Sequence, residues 1–174
     1  MLDSLIQWIT SVLGEVVPFF IIKEYEEGIQ LRGGRYLRVV RPGFHFKVPF
    51  FDEIISQHVV LTTLSLPAQS LVTKDNKNIV VEAMVKYKIN DVKVFLLEVY
   101  DSTDAIGDVS QGIIKEIIMS STWEEARDNE LDNTITKKVR NELKKFGVYV
   151  EKVTLTSIAD MRTIRLINQS IFNA

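Results

Sequence analysis

The sequence predicts an α+β fold in which an antiparallel sheet comes first and helices follow, packed around one further long strand. Two observations support this prediction. Apolar and polar residues alternate through much of residues 23–90, as in a sheet covered on one face. Beyond Asn90 the apolar period changes from two to nearly four, which is typical of helices. We expect two abutting units, residues 23–90 and 91–174, after an N-terminal segment at 1–22.

The N-terminal segment has apolar residues at helical spacing and predicts an amphipathic helix that ends at Pro18. No Lys or Arg precedes Lys23, which argues against a signal peptide. Gln7 and Glu15 interrupt a stretch just short of the roughly 20 apolar residues that a spanning helix needs. We interpret it as an in-plane membrane helix or a shallow hairpin broken at Pro18; a core helix is the alternative. The membrane-contacting residues predicted here are Leu2, Leu5, Ile6, Trp8, Ile9, Val12, Leu13, Val16, Val17, Phe19 and Phe20.

Strand and turn signals alternate from Lys23 to Asn90. Gly33 and Gly34 separate two strand-like segments and predict a hairpin, and Pro42-Gly43 predicts another turn. The predicted strands are EGIQLR, RYLRVV, FHFKV, EIISQHVVLTTLSL, which runs up to Pro67, and NIVVEAMVKYKI, the clearest alternation.

The aromatic stretch RPGFHFKVPFFDEI, residues 41–54, is interpreted as a turn followed by a strand that ends at Pro49. Alternation predicts that Phe44 and Phe46 face the core and that His45 points to the opposite side. A single strand histidine is usually structural or exposed, so we do not expect a ligand or a proton switch here.

Helical signals dominate after Asn90. Asp91 is a candidate N-cap for the helix VKVFLLEVY, a second helix covers about 103–120, and Thr122 and Glu125 have capping-box spacing. Apolar residues from Leu131 to Phe146 predict an amphipathic helix stopped by Gly147. The strand VYVEKVTLTSI follows, with a predicted bulge where its apolar phase slips between Val150 and Val153, and a short helix from about Met161 to Phe172 ends the chain.

The residue inventory argues against an enzyme, a metal site or a cofactor site. The chain has no cysteine and two histidines, and it contains no nucleophile or phosphate-binding glycine motif. Asp52 and Glu53 are adjacent in a strand and point to opposite faces, so they cannot act as a pair. Acidic residues at helical spacing are interpreted as a solvated helix start; they are Asp101, Asp104 and Asp108.

Five basic residues follow the amphipathic segment closely. They form either a solvated hairpin face or a surface that attracts anionic lipid headgroups, and we favour the headgroup interpretation because the cluster lies next to the candidate anchor. A net charge of −2 argues against nucleic acid as a partner. The predicted headgroup-binding residues are Arg32, Arg35, Arg38, Arg41 and Lys47.

Three segments in the same order resemble the SPFH superfamily, or band-seven domain, of stomatins, prohibitins, flotillins and bacterial Hfl-type proteins. EEGIQLRGGRYLRVVRPGFHFKVPFFDEI is similar to the opening segment of that family. LVTKDNKNIVVEAMVKYKINDV, with its Thr73-Lys74-Asp75 turn and Tyr87-x-Ile89 pattern, is similar to the next block. NELKKFGVYVEKVTLTSI, which breaks at Gly147, is similar to the later helix-to-strand block.

The resemblance implies an SPFH domain of two subdomains with an N-terminal membrane anchor. It implies membrane-bound homo-oligomers that scaffold membrane patches or regulate proteases or channels without being enzymes. Members continue into a coiled coil where this chain ends at Ala174, so we expect a short form, either truncated or natural, in which a closed ring is in doubt. In the family the aromatic stretch lies near the membrane, which makes Phe50 and Phe51 a predicted second, shallow membrane contact.

These observations together predict a membrane-associated, non-enzymatic oligomeric scaffold or regulator of membrane-protein complexes. Lys and Arg follow the hydrophobic segment, so the positive-inside bias places the folded part on the cytoplasmic face. The alternative is a soluble adaptor whose first helix docks on a protein partner.

Overall fold

The computed structural model describes residues 18–160, and the predicted α+β order is confirmed there. The predicted helices at the two ends of the chain lie outside the described residues, except that Phe19 and Phe20 belong to a strand. The strands are β1 (Phe19–Ile22), β2 (Glu26–Arg32), β3 (Arg35–Val40), β4 (Gly43–Phe46), β5 (Asp52–His58), β6 (Thr62–Val72), β7 (Asn78–Ile89) and β8 (Val148–Asp160). The helices are α1 (Val92–Leu97), α2 (Ser102–Ser120), α3 (Trp123–Ala126), α4 (Asn129–Leu143) and a 3-10 turn, Lys144–Phe146.

The strands form three antiparallel sheets. A two-stranded ribbon pairs β1 with β4, a second sheet has the order β3-β2-β5, and a third has the order β6-β7-β8. Gly33 and Gly34 adopt positive φ angles of 56° and 74° at the predicted β2–β3 hairpin. Glycine adopts such angles without the steric cost that a Cβ atom imposes.

The main core lies between the third sheet and the helices α2 and α4. Alternate residues of β7 are buried as the sequence predicts, and the neighbouring helices contribute Ile106 and Ile118 from α2 and Ile135 and Val139 from α4. One face of the second sheet, including Ile29, joins the same core. Burying each such side chain contributes roughly 1.5–3 kcal/mol, so this interface supplies most of the folding energy.

Side chains of α4 cover the outer edge of β8. The Thr136 hydroxyl accepts a hydrogen bond from the Val153 amide at 2.9 Å, and the Asp132 carboxylate accepts one from the Leu155 amide at 3.3 Å. Arg140 donates to the carbonyl oxygens of Val150 and Glu151 at 2.6 and 2.7 Å. These three residues, one helical turn apart, satisfy backbone groups that an edge strand otherwise leaves unpaired.

The prediction of one continuous strand up to Pro67 is wrong. β5 ends at His58, and the Val59 amide donates to the Tyr25 carbonyl at 3.0 Å just beyond the last β2–β5 pair. The chain then crosses to the third sheet, where Thr62 pairs with Tyr87. β6 continues through Pro67 because it is an edge strand and its register shifts between Leu66 and Gln69. Proline has no backbone N–H, and at this irregularity its absence does not break a hydrogen bond between strands.

The predicted local signals after Asn90 are confirmed. The Asp91 side chain accepts from the amides of Lys93 and Val94 at the start of α1. Thr122 and Glu125 form both hydrogen bonds of a capping box. Gly147 ends the 3-10 turn at φ 74°. The β8 register shifts as predicted, since Lys86 pairs with Lys152 whereas Tyr87 pairs with Val150.

Candidate functional site

The outer face of the β1–β4 ribbon is apolar and exposed. Phe19 pairs with Phe46 and Ile21 pairs with Phe44 across the two strands, so the four side chains share one face. The Phe19 ring stacks on Phe44 at 5.0 Å between centroids and meets the edge of Phe46 at 5.9 Å. Each of the four side chains is about half or more exposed, from 48% for Phe19 to 70% for Ile21.

The prediction that Phe44 and Phe46 face the core is wrong. Their strand pairs with β1, and the ribbon turns its other face inward, where Ile22 is buried and the rings of Phe20 and His45 stack at 5.3 Å. The alternation correctly predicted that Phe44 and Phe46 lie on the opposite face of the strand from His45. The prediction of which of these two faces is turned toward the core was wrong. His45 Nε2 lies 2.6 Å from the Arg41 carbonyl oxygen, a contact within the turn that fits a structural role.

A tight loop presents Phe50 and Phe51 close to this ribbon. The two side chains are 79% and 66% exposed, and Phe50 has a left-handed φ of 67° that a large side chain rarely adopts. The amides of Phe51 and Asp52 both donate to the Val48 carbonyl, and the Gly33 amide donates to the Phe51 carbonyl at 2.9 Å. The loop is therefore tied to the β2–β3 hairpin as well as to itself.

The Asp52 carboxylate anchors this loop. It accepts hydrogen bonds from the Val48 amide at 2.7 Å, from Gln30 Nε2 at 2.7 Å and from two guanidinium nitrogens of Arg32 at 2.6 and 2.9 Å. Its side chain is inaccessible to solvent, whereas that of Arg32 is half exposed. The hydrogen bonds from Arg32, and then those from Val48 and Gln30, hold the pKa of Asp52 far below its usual range.

Gln30 extends this network to the ribbon and to β3. Its side-chain amide also donates to the Phe46 carbonyl at 3.4 Å, and its oxygen accepts from Arg38 Nε at 2.8 Å. Gln30 is 1% exposed, and each of its polar side-chain atoms has a partner. One buried polar cluster therefore joins the aromatic ribbon, the Phe50-Phe51 loop and the basic hairpin.

Three of the predicted headgroup residues share one face of the β2–β3 hairpin. Arg32 pairs with Arg35, and Arg38 pairs with Gln30 on the same face. The guanidinium groups of Arg32 and Arg38 are held by Asp52 and Gln30, whereas Arg35 is exposed. The other two predicted residues lie at the ends of β4: Arg41 is exposed, and the Lys47 amide donates to the Pro18 carbonyl.

The structure adds residues to the predicted surface and removes one from its exposed face. Ile21, Phe44 and Phe46 were absent from the predicted contacts, and Phe20 points to the inner side of the ribbon. FFII is apolar throughout and gives no alternation, and GFHF separates its two Phe residues from His45 without showing which side is covered. The pairing of β1 with β4 identifies which face is open. We call Phe19, Ile21, Phe44, Phe46, Phe50 and Phe51 the aromatic surface.

Between residues 18 and 160, no cluster of three or more His, Asp or Glu side chains is placed to hold a metal ion. Within the same range, no helix has the length and apolar character needed to cross a bilayer.

The sequence profile described as SPFH domain / Band 7 family matches residues 20–169. The match covers most of the chain and includes both the ribbon and the helices around the third sheet. The chain therefore belongs to this family, and the predicted resemblance is confirmed.

Similar proteins occur in archaea and bacteria. An uncharacterized protein of Methanocaldococcus jannaschii is 30% identical over 87% of this chain and 80% of its own length. Protein HflC of Buchnera aphidicola is 27% identical over 94% of this chain and 57% of its own length. A protein named modulator of FtsH protease HflC, of Escherichia coli, is 29% identical over 69% of this chain. The match spans only 36% of that last protein.

Proposed function

We propose that this chain is a membrane-associated, non-enzymatic oligomeric scaffold or regulator of membrane-protein complexes. The observation that carries the proposal is the aromatic surface, where six large apolar side chains are exposed around one buried polar network. Exposed apolar patches of this kind usually mark a surface that contacts a membrane or another protein. We assign it to lipid because it follows the N-terminal segment directly and lies beside the basic hairpin.

The arrangement suits a shallow insertion into one leaflet. Aromatic rings at the tip of a loop and on one face of a ribbon enter the interfacial region, while Arg35 and Arg41 remain available to headgroup phosphates. Each basic residue near an anionic surface contributes about 1 kcal/mol. Rigid presentation matters because a loop that is already ordered loses little entropy when it binds.

Vesicle binding tests the lipid assignment. The full chain is mixed with phosphatidylcholine vesicles with and without phosphatidylglycerol and then sedimented. We expect Phe50→Ser combined with Phe51→Ser, and separately Phe44→Ser combined with Phe46→Ser, to weaken binding roughly tenfold or more because apolar burial is lost. Tyr100→Ser is the matched control, since this aromatic side chain is 99% exposed between α1 and α2.

The N-terminal segment needs its own arm of the experiment. A variant with Leu5, Ile9 and Leu13 changed to Asp is predicted to lose most binding, and adding the Phe50 and Phe51 changes should abolish the remainder. Unchanged binding in all Phe variants would refute the proposed lipid role of the aromatic surface. If the Asp variant still binds fully, the predicted anchor fails, and if wild type binds no vesicle, the soluble-adaptor alternative is preferred.

The regulatory part of the proposal rests on the relatives. Those named HflC include proteins described as modulators of the FtsH protease, so we propose a membrane protease as the kind of partner regulated. Affinity capture of the tagged chain from solubilised native membranes, followed by mass spectrometry, tests this. Recovery of a membrane protease with wild type, and its loss with the membrane-binding variants, is the expected result; recovery of the chain without any membrane protease would contradict it.

A further inference from the structure

A basic groove lies where α4 meets the outer edge of the third sheet. It has a volume of about 580 Å³ and is lined by Leu61 and by residues from β7, β8 and α4, in which four cationic side chains outnumber one acidic residue, Glu151. Lys86 and Lys152 are direct cross-strand partners in it, and Lys137 faces them from the helix. All three lysines are exposed, and between residues 18 and 160 none has a carboxylate within 4.0 Å.

This arrangement is unfavourable in an isolated molecule. Like charges placed directly opposite each other on a sheet repel, and a third positive charge nearby adds to the repulsion. The fourth cation of the groove, Arg140, is already fixed by two carbonyl oxygens of β8. An anionic partner that neutralises Lys86, Lys137 and Lys152 together would relieve the repulsion, so the groove fits an acidic surface.

The chain carries such a surface at the opposite edge of the same sheet. A second open groove, of about 330 Å³, lies between the outer strand β6 and the first turns of α2. Asp104 and Asp108 line it and are exposed, and β6 contains no charged residue. Gly107 also lines this groove, beside Leu64 and Leu66 of the strand.

We propose that the basic groove of one copy receives the acidic β6–α2 groove of a second copy. Because the two surfaces are different and lie on opposite edges of one sheet, the contact is head-to-tail, and repeating it generates a ring or an open filament. Lys86 and Lys152, which lie opposite each other in the basic groove, are complementary in charge to Asp104 and Asp108, which lie one helical turn apart in the acidic groove. The inference deepens the oligomeric part of the proposed function and identifies the surface through which copies meet.

Reciprocal charge reversal tests the pairing. The full chain in detergent is examined by analytical ultracentrifugation over a range of salt concentrations. Wild type is expected to associate at low salt and to dissociate as salt screens the contact. Lys86→Glu with Lys152→Glu, and separately Asp104→Lys with Asp108→Lys, should each raise the dissociation constant by roughly tenfold or more. Mixing the two variants should restore association, because each then offers the complement that the other lacks.

Matched controls separate this contact from general charge effects. Lys138→Glu lies on the same helix outside the groove, and Glu116→Lys lies on α2 outside the acidic groove; the two residues pair at 3.3 Å and are exposed. Neither change should alter association. Lys137→Glu, on the helix rather than in the sheet, should weaken association as the strand variants do. Because it leaves the strands unchanged, this result would show that the strand variants do not act through a folding defect, which circular dichroism also checks.

Each other outcome overturns the pairing. Wild type that stays monomeric at low salt, association that ignores the charge reversals, or a mixture that fails to reassemble would each exclude it. If the lysine variants instead lose binding to anionic vesicles while self-association is unchanged, the groove binds headgroups and the inference is wrong. The Phe50 and Phe51 variants are the converse control, since they should lose vesicle binding but keep self-association. Failure of the membrane proposal can therefore be distinguished from failure of the proposed contact between copies.

Discussion

Arg32 and Asp52 form a two-point ion pair that holds the Phe50-Phe51 loop against the β2–β3 hairpin. The guanidinium nitrogens lie 2.6 and 2.9 Å from the two carboxylate oxygens, and the Asp52 side chain is fully covered. Because the same carboxylate also accepts from the Val48 amide and from Gln30, its loss would release both ends of the loop.

Asp52→Asn tests this anchor. The variant keeps the shape of the side chain but removes its charge, and its amide nitrogen cannot accept from the donors that surround it. Hydrogen bonds to a charged group contribute about 1.5–3 kcal/mol, so we expect a fall in the free energy of unfolding of that order, measured by urea denaturation. Glu53→Gln, on the neighbouring exposed residue, should change the free energy by less than about 0.5 kcal/mol. Equal effects of the two changes would contradict the anchor.

The same ion pair predicts a pH dependence. The folded-state pKa of Asp52 is lowered, so its contribution to stability is present above the unfolded-state pKa and is lost as the pH falls through the folded-state pKa. The difference in unfolding free energy between wild type and Asp52→Asn should therefore be constant above about pH 5 and shrink below about pH 4. A difference that stays constant down to pH 2 or grows on acidification would refute this assignment.

Thr136 links α4 to the edge of β8, and its replacement by Val should be costly. The buried hydroxyl accepts from the Val153 amide at 2.9 Å and donates to the Asp132 carbonyl at 2.7 Å. Val has a similar volume but leaves the Val153 amide without a partner, which costs about 1–3 kcal/mol. Thermal and urea unfolding provide the measurement.

Thr134→Val is the control for that change. Thr134 is exposed on the same helix, and its hydroxyl donates only to the Glu130 carbonyl at 3.3 Å. We expect its stability to lie within about 0.5 kcal/mol of wild type. If both Thr variants are equally stable, the side chains of α4 do not protect the strand edge as described.

Local chemistry made much of the fold predictable. Alternation in β7 identified a strand with one buried face, and the capping residues Asp91, Thr122 and Glu125 each sit where their side chains reach free backbone amides. The phase slip in β8 marked a real bulge. These signals involve residues close in sequence, so they can be interpreted without knowledge of the tertiary structure.

Long-range pairing was the part that sequence could not supply. Alternation shows that Phe44 and Phe46 share a side, but whether that side is covered depends on β1 and on the polar contact between Gln30 and the Phe46 carbonyl. The strand break after His58 likewise arises because the chain changes sheets, and the apolar residues on either side of it give no sign of this. The basic groove joins residues from β7, α4 and β8, which the sequence separates by up to about seventy positions.

Gly147 should be among the least replaceable residues of the chain. It has φ 74°, and a Cβ atom there would lie 2.5 Å from the Asp91 carbonyl oxygen, which is backbone and cannot move away cheaply. The amides of Asn90 and Asp91 both donate to the Gly147 carbonyl, so a shift would also disturb the start of α1. Gly34→Ala is a matched control, because Gly34 has the same φ of 74° with open space around it. The left-handed conformation alone costs an Ala about 1–2 kcal/mol. We therefore expect that loss for Gly34→Ala and at least twice that loss for Gly147→Ala, measured by urea unfolding; equal losses would mean that contact with Asp91 adds nothing.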